Sequence, residues 1–330
     1  MDVRRVDLCG RATLPQKRRE SALHTIHQTL VDAVCRIAGN DGDFATAIPQ
    51  LSLHRRSHPE EPQPCLYPRG LILVLRGHKR LAYGNRRVTY GAGDLLVIPA
   101  DLPVVSHLDE ASCEAPFLAL LLRLDGALLV QVANETADER PAQSMTSDLL
   151  TIGQSDEGLL RAFARLVQLG SEPNLLAHLS PLIQKEIAIR LLASVHGQTL
   201  RAALIAGSPA QKVARAMRWL RENFAAKISI DTLAADVGMS PTTFRQHFRQ
   251  NVGLSPVQYQ KQLRLQQARE LMLNGAIDTA NAAARVGYMS ASQFSREYKR
   301  LFGESPRRDV RREASEDSSA KSTRRGLSAP

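Results

Sequence analysis

Cysteine is scarce in this chain. Cys9, Cys35, Cys65 and Cys113 are the only four in 330 residues, they form no C-x-x-C pair, and no histidine stands beside them at metal-ligand spacing. That pattern gives no disulfide framework and suits thiols kept reduced in a cytosol. An apolar core is missing from the opening stretch "MDVRRVDLCGRATLPQKRRE", so no secretory signal is expected. Long apolar runs are also absent. The longest, Ala115 to Ala133, is interrupted by Arg123 and Asp125, which makes it too costly to span a bilayer. The expected protein is soluble and cytoplasmic, with no membrane partner.

What is present is length enough for two cores and an uneven charge. A chain of 330 residues with 43% hydrophobic content can bury two ordinary domains. The formal net charge is +10, which by itself suits nucleic acid or another acidic partner. Its distribution is more informative. From Ser208 onward there are 21 Lys and Arg against 11 Asp and Glu, whereas the 22 basic residues before Ser208 are matched by 22 acidic ones. The whole excess lies in the C-terminal third.

In the first half, "ESALHTIHQTLVDAVCRIAG" places Leu23, Ile26, Leu30, Ala33 or Val34, and Ile37 at helical spacing, closed by Gly39. From about Ile48 the period shortens. "GLILVLRG", "KRLAYGN", "RRVTYGAG", "DLLVIPAD" and "PVVSH" are short apolar runs bounded by Gly, Pro or Asn, and Gly84-Asn85 invites a tight hairpin. Many short strands in series predict a sandwich or small barrel.

The segment "YGAGDLLVIPADLPVVSH", with Gly93, Asp94, Pro99 and Pro103, resembles the Gly-Asp, apolar run, Pro segment of cupin barrels. Followed by "PFLALLLRLD", it resembles the ligand-binding domain that precedes the DNA-binding module in AraC-type regulators, over roughly residues 45 to 130. Metal cupins use a His-x-His with a downstream acid and another His. Here His54 and His58 lie outside such a pair and Val104 stands near the place of the last His, so neither a metal nor a catalytic site is expected. His78 and His107 read as turn or rim residues. Cys65 and Cys113 read either as redox sensors or as small buried hydrophobes.

Two amphipathic helices follow. "SDEGLLRAFARLVQLG" carries Leu159, Leu160, Phe163, Leu166 and Val167 on one face; "LSPLIQKEIAIRLLAS" carries Leu179, Leu182, Ile183, Ile187, Leu191 and Leu192. They serve either to dimerise the protein or to cover the open side of the barrel.

The C-terminal third builds one object twice. "MSPTTFRQHFRQNVGLSP" at 239–256 returns as "MSASQFSREYKRLFGESP" at 289–306. In the first copy Asp231 is expected to cap a helix containing Leu233, Ala234 and Val237, which Gly238 ends; Ser240 caps the next helix and Pro241 suits its first turn. Helix, Gly-containing turn and capped helix make a helix-turn-helix. Phe244 and Phe248 point inward, which leaves Thr242, Thr243, Arg245, Gln246 and Arg249 outward, the side chains a major groove can read or anchor. The second copy runs from Asp278 through Ala282, Ala283 and Val286 to Gly287, gains one turn residue in Tyr288, and is capped again at Ser290. Phe294 and Tyr298 point inward; Ala291, Ser292, Ser295, Arg296 and Lys299 point outward, a shorter set expected to hold backbone more than to read bases. Between the copies "PVQYQKQLRLQQARELMLNG" predicts a helix of about 18 residues, about 27 Å long. Successive major-groove faces lie roughly 34 Å apart. A rigid strut of that length can hold two reading heads over adjacent turns, and linked heads gain from effective concentration.

These residues resemble the AraC/XylS-type DNA-binding domain over 208–312, from "AQKVARAMRWLRENF" to "AAARVGYMSASQFSREYKRLFGESPRR". The resemblance implies base contacts from Thr242, Arg245 and Gln246 in the first reading helix and from Ala291, Ser292, Ser295 and Arg296 in the second. It implies a multidomain α and β chain. The expected divisions are a leader and helix over 1–45, a cupin-like barrel over 46–145, a helical dimerisation or linker region over 146–207, the double helix-turn-helix domain over 208–312, and a disordered Ser-, Arg- and Glu-rich tail over 313–330. The expected activity is sequence-specific transcription regulation by a homodimer, with double-stranded DNA and an unknown small-molecule effector as partners, RNA polymerase as well if the protein activates, and no cofactor. The other readings are a non-specific architectural DNA-binding protein and a cupin enzyme fused to a DNA-binding module. Arg215, Arg218, Lys261 and Arg264 read equally as phosphate contacts and as solvated surface.

Overall fold

The computed structural model describes residues 16–136, 150–205, 207–275 and 277–312. The basic leader, Cys9 and the tail from 313 lie outside the described residues. The N-terminal half runs α1 (Gln16–Ile37), β1 (Gly42–Ala45), β2 (Leu51–Arg56), β3 (Glu60–Tyr67), β4 (Gly70–Arg76), β5 (His78–Tyr83), β6 (Arg86–Gly91), β7 (Asp94–Ile98), β8 (Leu102–Leu108), β9 (Phe117–Arg123), α2 (Gly126–Glu135), β10 (Thr151–Gln154), α3 (Glu157–Leu169), α4 (Pro173–Ala193) and α5 (Gly197–Leu204). The C-terminal half is helical: α6 (Pro209–Glu222), α7 (Ile230–Asp236), α8 (Pro241–Val252), α9 (Pro256–Leu273), α10 (Thr279–Arg285) and α11 (Ala291–Phe302), with a further helical segment over 306–312. None of the described helices is long and apolar enough to cross a membrane.

Two antiparallel sheets make the cupin-like body, in the orders β1-β2-β9-β4-β7-β10 and β3-β8-β5-β6. They face one another as an open, cupin-like sandwich, in keeping with the expected sandwich or small barrel. The reason is visible in β4 and β9, whose runs "GLILVLR" and "FLALLLR" are apolar at nearly every position. A strand buried on both faces needs cover on both. Leu71, Leu73, Leu118, Leu120 and Leu122 pack outward against α1, α3 and α4, while Ile72, Val74, Ala119 and Leu121 face the second sheet. The two middle helices therefore cover a sheet face. The middle region, expected to be wholly helical, also contributes a strand, since β10 pairs with β7 from Thr151↔Val97 to Gln154↔Asp94. The apolar run from Ala115 divides at Asp125, whose carboxylate accepts from Ala127 N and starts α2.

The C-terminal half repeats its local chemistry as the sequence does. Ser240 and Ser290 cap α8 and α11 by accepting from Thr243 N and Gln293 N, and Asp278 caps α10 by accepting from Asn281 N. The cap of α7 is Ser229, which accepts from Thr232 N; Asp231 instead lies inside the first turn, where a negative charge favours the helix dipole. Gly238 (φ 69°) and Gly287 (φ 84°) make the two turns in left-handed backbone.

Three of the contacts between the halves are specific and well defined. Tyr259 of α9 donates its buried hydroxyl to the Asp101 carbonyl at 2.9 Å, and Arg221 of α6 forms an ion pair with the Asp101 carboxylate. The β5–β6 turn meets the end of α8 backbone to backbone: a Cβ at Gly84 would stand 2.6 Å from the Gly253 Cα, and both glycines carry positive φ.

Candidate nucleic-acid interface and ligand cavity

Three aromatic rings fix the first reading helix. Phe244 and Phe248, both fully buried, pack edge to face at 5.5 Å, and Phe248 meets Tyr259 of α9 at 5.5 Å in the same way. With that face inward, Thr242, Thr243, Arg245, Gln246 and Arg249 are all exposed on the opposite side. The exposed Arg245 guanidinium rests 3.3 Å from Asp231 of α7, a screened surface pair that constrains the side chain weakly.

The second reading helix is held by Phe294, Tyr298 and Phe302. Ala291, Ser292, Arg296 and Lys299 are exposed and Ser295 is half-buried. The extra turn residue Tyr288 folds inward against Phe294 at 5.3 Å and donates to Glu297 at 2.7 Å. Glu297 also binds Lys261 at 2.8 Å, which ties α11 to α9. Tyr288 thus braces the second unit.

Arg264 has neither of its two expected roles. Its guanidinium donates to the carbonyls of Phe224 (2.7 Å), Ala225 (3.2 Å), Ala226 (3.0 Å) and Gly287 (3.2 Å). One arginine satisfies the chain end after α6 and the second turn together, so it is a structural clamp between the two units.

A cavity of about 670 Å³ opens between the sheets and reaches the C-terminal half. Ile72, Phe117, Ala119 and Leu121 line its apolar wall. Tyr67, Tyr90 and Ser106 supply a hydroxyl cluster, with Tyr67 to Tyr90 at 2.7 Å and Tyr67 donating to Ser106 at 3.2 Å. Burial raises both phenol pKa values, which keeps these groups as neutral donors. Cys65 lines the same wall; burial pushes its thiol up to about 12, so the thiolate a redox role requires is not formed at neutral pH. Cys113 is exposed. At the rim Arg56 pairs with Asp43 and Glu60 at 2.7 Å each, and Lys79 with Glu60 at 3.1 Å. Across from them stand Arg269 and Arg312 of the C-terminal half.

Of the two histidines expected at turns or the rim, His107 lies 2.8 Å from Arg80 and 3.4 Å from Asp109, and His78 begins β5. The histidines outside a His-x-His pair hold acids instead: His54 meets Asp43 at 2.8 Å and His58 meets Asp41 at 3.3 Å. Among the described residues no three His, Cys, Asp or Glu gather as a metal site.

Comparison with known proteins agrees with this geometry. Residues 47–199 match the model of the AraC-type transcriptional regulator N-terminus, and residues 233–312 match a helix-turn-helix domain. The chain belongs to the AraC-type transcriptional regulators. This AraC-type regulator is 25% identical over 248 residues to the virulence regulon transcriptional activator VirF of Yersinia enterocolitica, covering 72% of this chain and 87% of VirF. Its C-terminal part is 33% identical over 95 residues to the transcriptional activator RhaS of Escherichia coli (strain SE11), 29% of this chain and 34% of RhaS. In fold it resembles ToxT of Vibrio cholerae strain SCE256 in its unsaturated fatty acid-bound crystal structure, with a TM-score of 0.56 at 11% identity, over 82% of this chain and 96% of that one. ToxT of strain O395 bound to (E)-4-(8-methylnaphthalen-1-yl)but-3-enoic acid gives a TM-score of 0.57 at 11% identity, over 79% and 97%. The regulator is a DNA-binding transcription factor with an AraC-type N-terminal domain ahead of its helix-turn-helix domain.

The outward rows of α8 and α11 were legible from sequence because caps, glycines and paired aromatics fix the helix phase. The cavity was not. Its lining comes from both halves of the chain, and Tyr67, Tyr90, Arg269 and Arg312 share no local motif.

Proposed function

We propose that α8 and α11 enter successive major grooves, with Thr242, Arg245 and Gln246 reading bases and Thr243 and Arg249 positioning the helix on the backbone. In α11, Arg296 and Lys299 carry most of the attachment, and the short Ala291, Ser292 and Ser295 permit close approach. The observation behind this is that both exposed polar rows are fixed to one 18-residue helix, α9, by buried aromatics and by the Arg264 clamp. The division of the chain into an effector half, a helical middle and a DNA-binding half over 208–312 follows the same reading.

The effector is an organic acid with an apolar body. Supporting this, the cavity joins apolar walls to a rim bearing Arg56, Lys79, Arg269 and Arg312, and the two ToxT structures hold a fatty acid and an aryl-butenoic acid. The protein has no catalytic role, acts in the cytoplasm at the nucleoid, and contacts RNA polymerase if it activates. It works as a dimer through α4, where Leu175, Leu179, Leu182 and Ile189 form an exposed apolar stripe.

Selection of sites from a random DNA pool at physiological salt tests the reading. A regulator of this kind binds the selected site about three or more orders of magnitude tighter than random DNA. A ratio near one would mean an architectural DNA-binding protein instead.

A further inference from the structure

Among the described residues, Asp309 is the most deeply buried acid of the C-terminal half, with its side chain 1% exposed. Three groups keep its charge compensated. Arg269 grips it with two hydrogen bonds, at 2.7 and 3.2 Å, from α9. Tyr298 donates to it at 2.6 Å from the inner face of α11. Arg312 donates at 3.1 Å from one turn further along the chain. A buried carboxylate is tolerated only while such partners stay in place.

Two of those partners, Arg269 and Arg312, also line the ligand cavity. The third belongs to the second reading helix, where Tyr298 packs at a tilt between Phe294 at 5.5 Å and Phe302 at 4.4 Å. Arg269 itself lies over the Phe302 ring at 5.3 Å. The cavity wall and the core of the second helix-turn-helix unit therefore share one buried ionic cluster.

We propose that Asp309 is the positioning residue through which an anionic effector acts on the second reading head: the effector draws Arg269 and Arg312 into the cavity, the carboxylate loses its compensation, and α11 loosens on α9. The inference rests on the reading that the cavity takes an organic acid. Its direction follows from competition. A carboxylate in the cavity and the carboxylate of Asp309 seek the same two guanidiniums, so occupancy weakens the hold on Tyr298 and lowers DNA affinity. The first helix-turn-helix unit has no member in the cluster; its core around Phe244, Phe248 and Tyr259 stays as it is. The effector thus converts a two-headed binder into a one-headed one.

The test uses the full chain and oleate as the probe, kept at monomeric concentration. Isothermal titration reports whether oleate binds, and hydrogen exchange of peptides covering Ala291–Phe302 reports on α11. The proposal expects binding, faster exchange in α11 but not in α8, and DNA affinity lower by about 5- to 150-fold, the usual range of coupling between two sites. Asp309→Asn should bind oleate yet show the same α11 exchange with and without it. If that variant does not fold, Arg312→Gln, at a half-exposed position, should show a reduced α11 response at saturating oleate. Binding with unchanged or slower α11 exchange overturns the relay and leaves the effector reading standing. No binding to the wild-type chain overturns the organic-acid reading and the relay with it.

Discussion

Tyr259 and Asp101, 158 positions apart, meet through a buried hydrogen bond of 2.9 Å from the phenol to the backbone carbonyl. Asp101 also accepts from the Arg69 backbone N–H at 2.8 Å and pairs with Arg221. One residue at the edge of the sheets thereby anchors α6 and α9, the two helices that carry the first reading head. Burial raises the Tyr259 pKa and keeps it a donor throughout the working pH range.

Removing that hydroxyl isolates the junction. Tyr259→Phe keeps the ring against Phe248 but leaves a buried carbonyl without its donor, at a cost of about 1–3 kcal/mol. Urea unfolding should show this loss, and small-angle scattering should show the halves separating more readily. An unchanged midpoint and unchanged dimensions would mean that the contact does not hold the halves together.

Acid should affect the second head through Asp309. Burial alone would raise this carboxyl, but hydrogen bonds from Arg269 and Tyr298, with the charges of Arg269 and Arg312, hold its pKa below the ordinary 3.8. A depressed folded value gives stability that is complete above pH about 4 and is lost as pH falls through the folded value. Stability measured from pH 7 to pH 2.5 should therefore fall more steeply in the wild type than in Asp309→Asn. Parallel curves would contradict this assignment.

The stripe on α4 makes a prediction about assembly. Leu182 is 63% exposed although the same helix buries Ile187, Ala188, Leu191 and Leu192. Leu182→Glu places a charge in the proposed subunit contact and should shift sedimentation from dimer to monomer at micromolar concentration without changing the circular dichroism. A wild-type chain that is already monomeric would remove α4 as the interface.

Legibility of the sequence followed the range of the physics. The two reading heads rest on local rules: Ser240 and Ser290 can cap only the helix that begins at the next residue, Gly238 and Gly287 alone tolerate the turn backbone, and aromatic pairs four apart set the inward face. The double burial of β4 and β9 was written in their unbroken apolar runs, yet which elements would cover them was not. Strand β10 lies past a long excursion, and its partner β7 is more than 50 residues away. Arg264 and Asp309 were illegible for a different reason. A charged side chain on a helix reads as surface until the fold shows that its partners are carbonyls or guanidiniums from other elements. Asp231 has the chemistry of a cap, but Ser229, two residues earlier, takes the role first.

The most direct measurement is a DNase footprint of the wild-type chain on its selected site at physiological salt, repeated with Arg245→Ala. Two reading heads predict two protected patches about one helical turn apart, and for the variant a loss of about 1–3 kcal/mol together with relaxed preference at one base pair. A single short patch, or an equal loss for Arg245→Ala on random DNA, would contradict two heads reading two successive grooves.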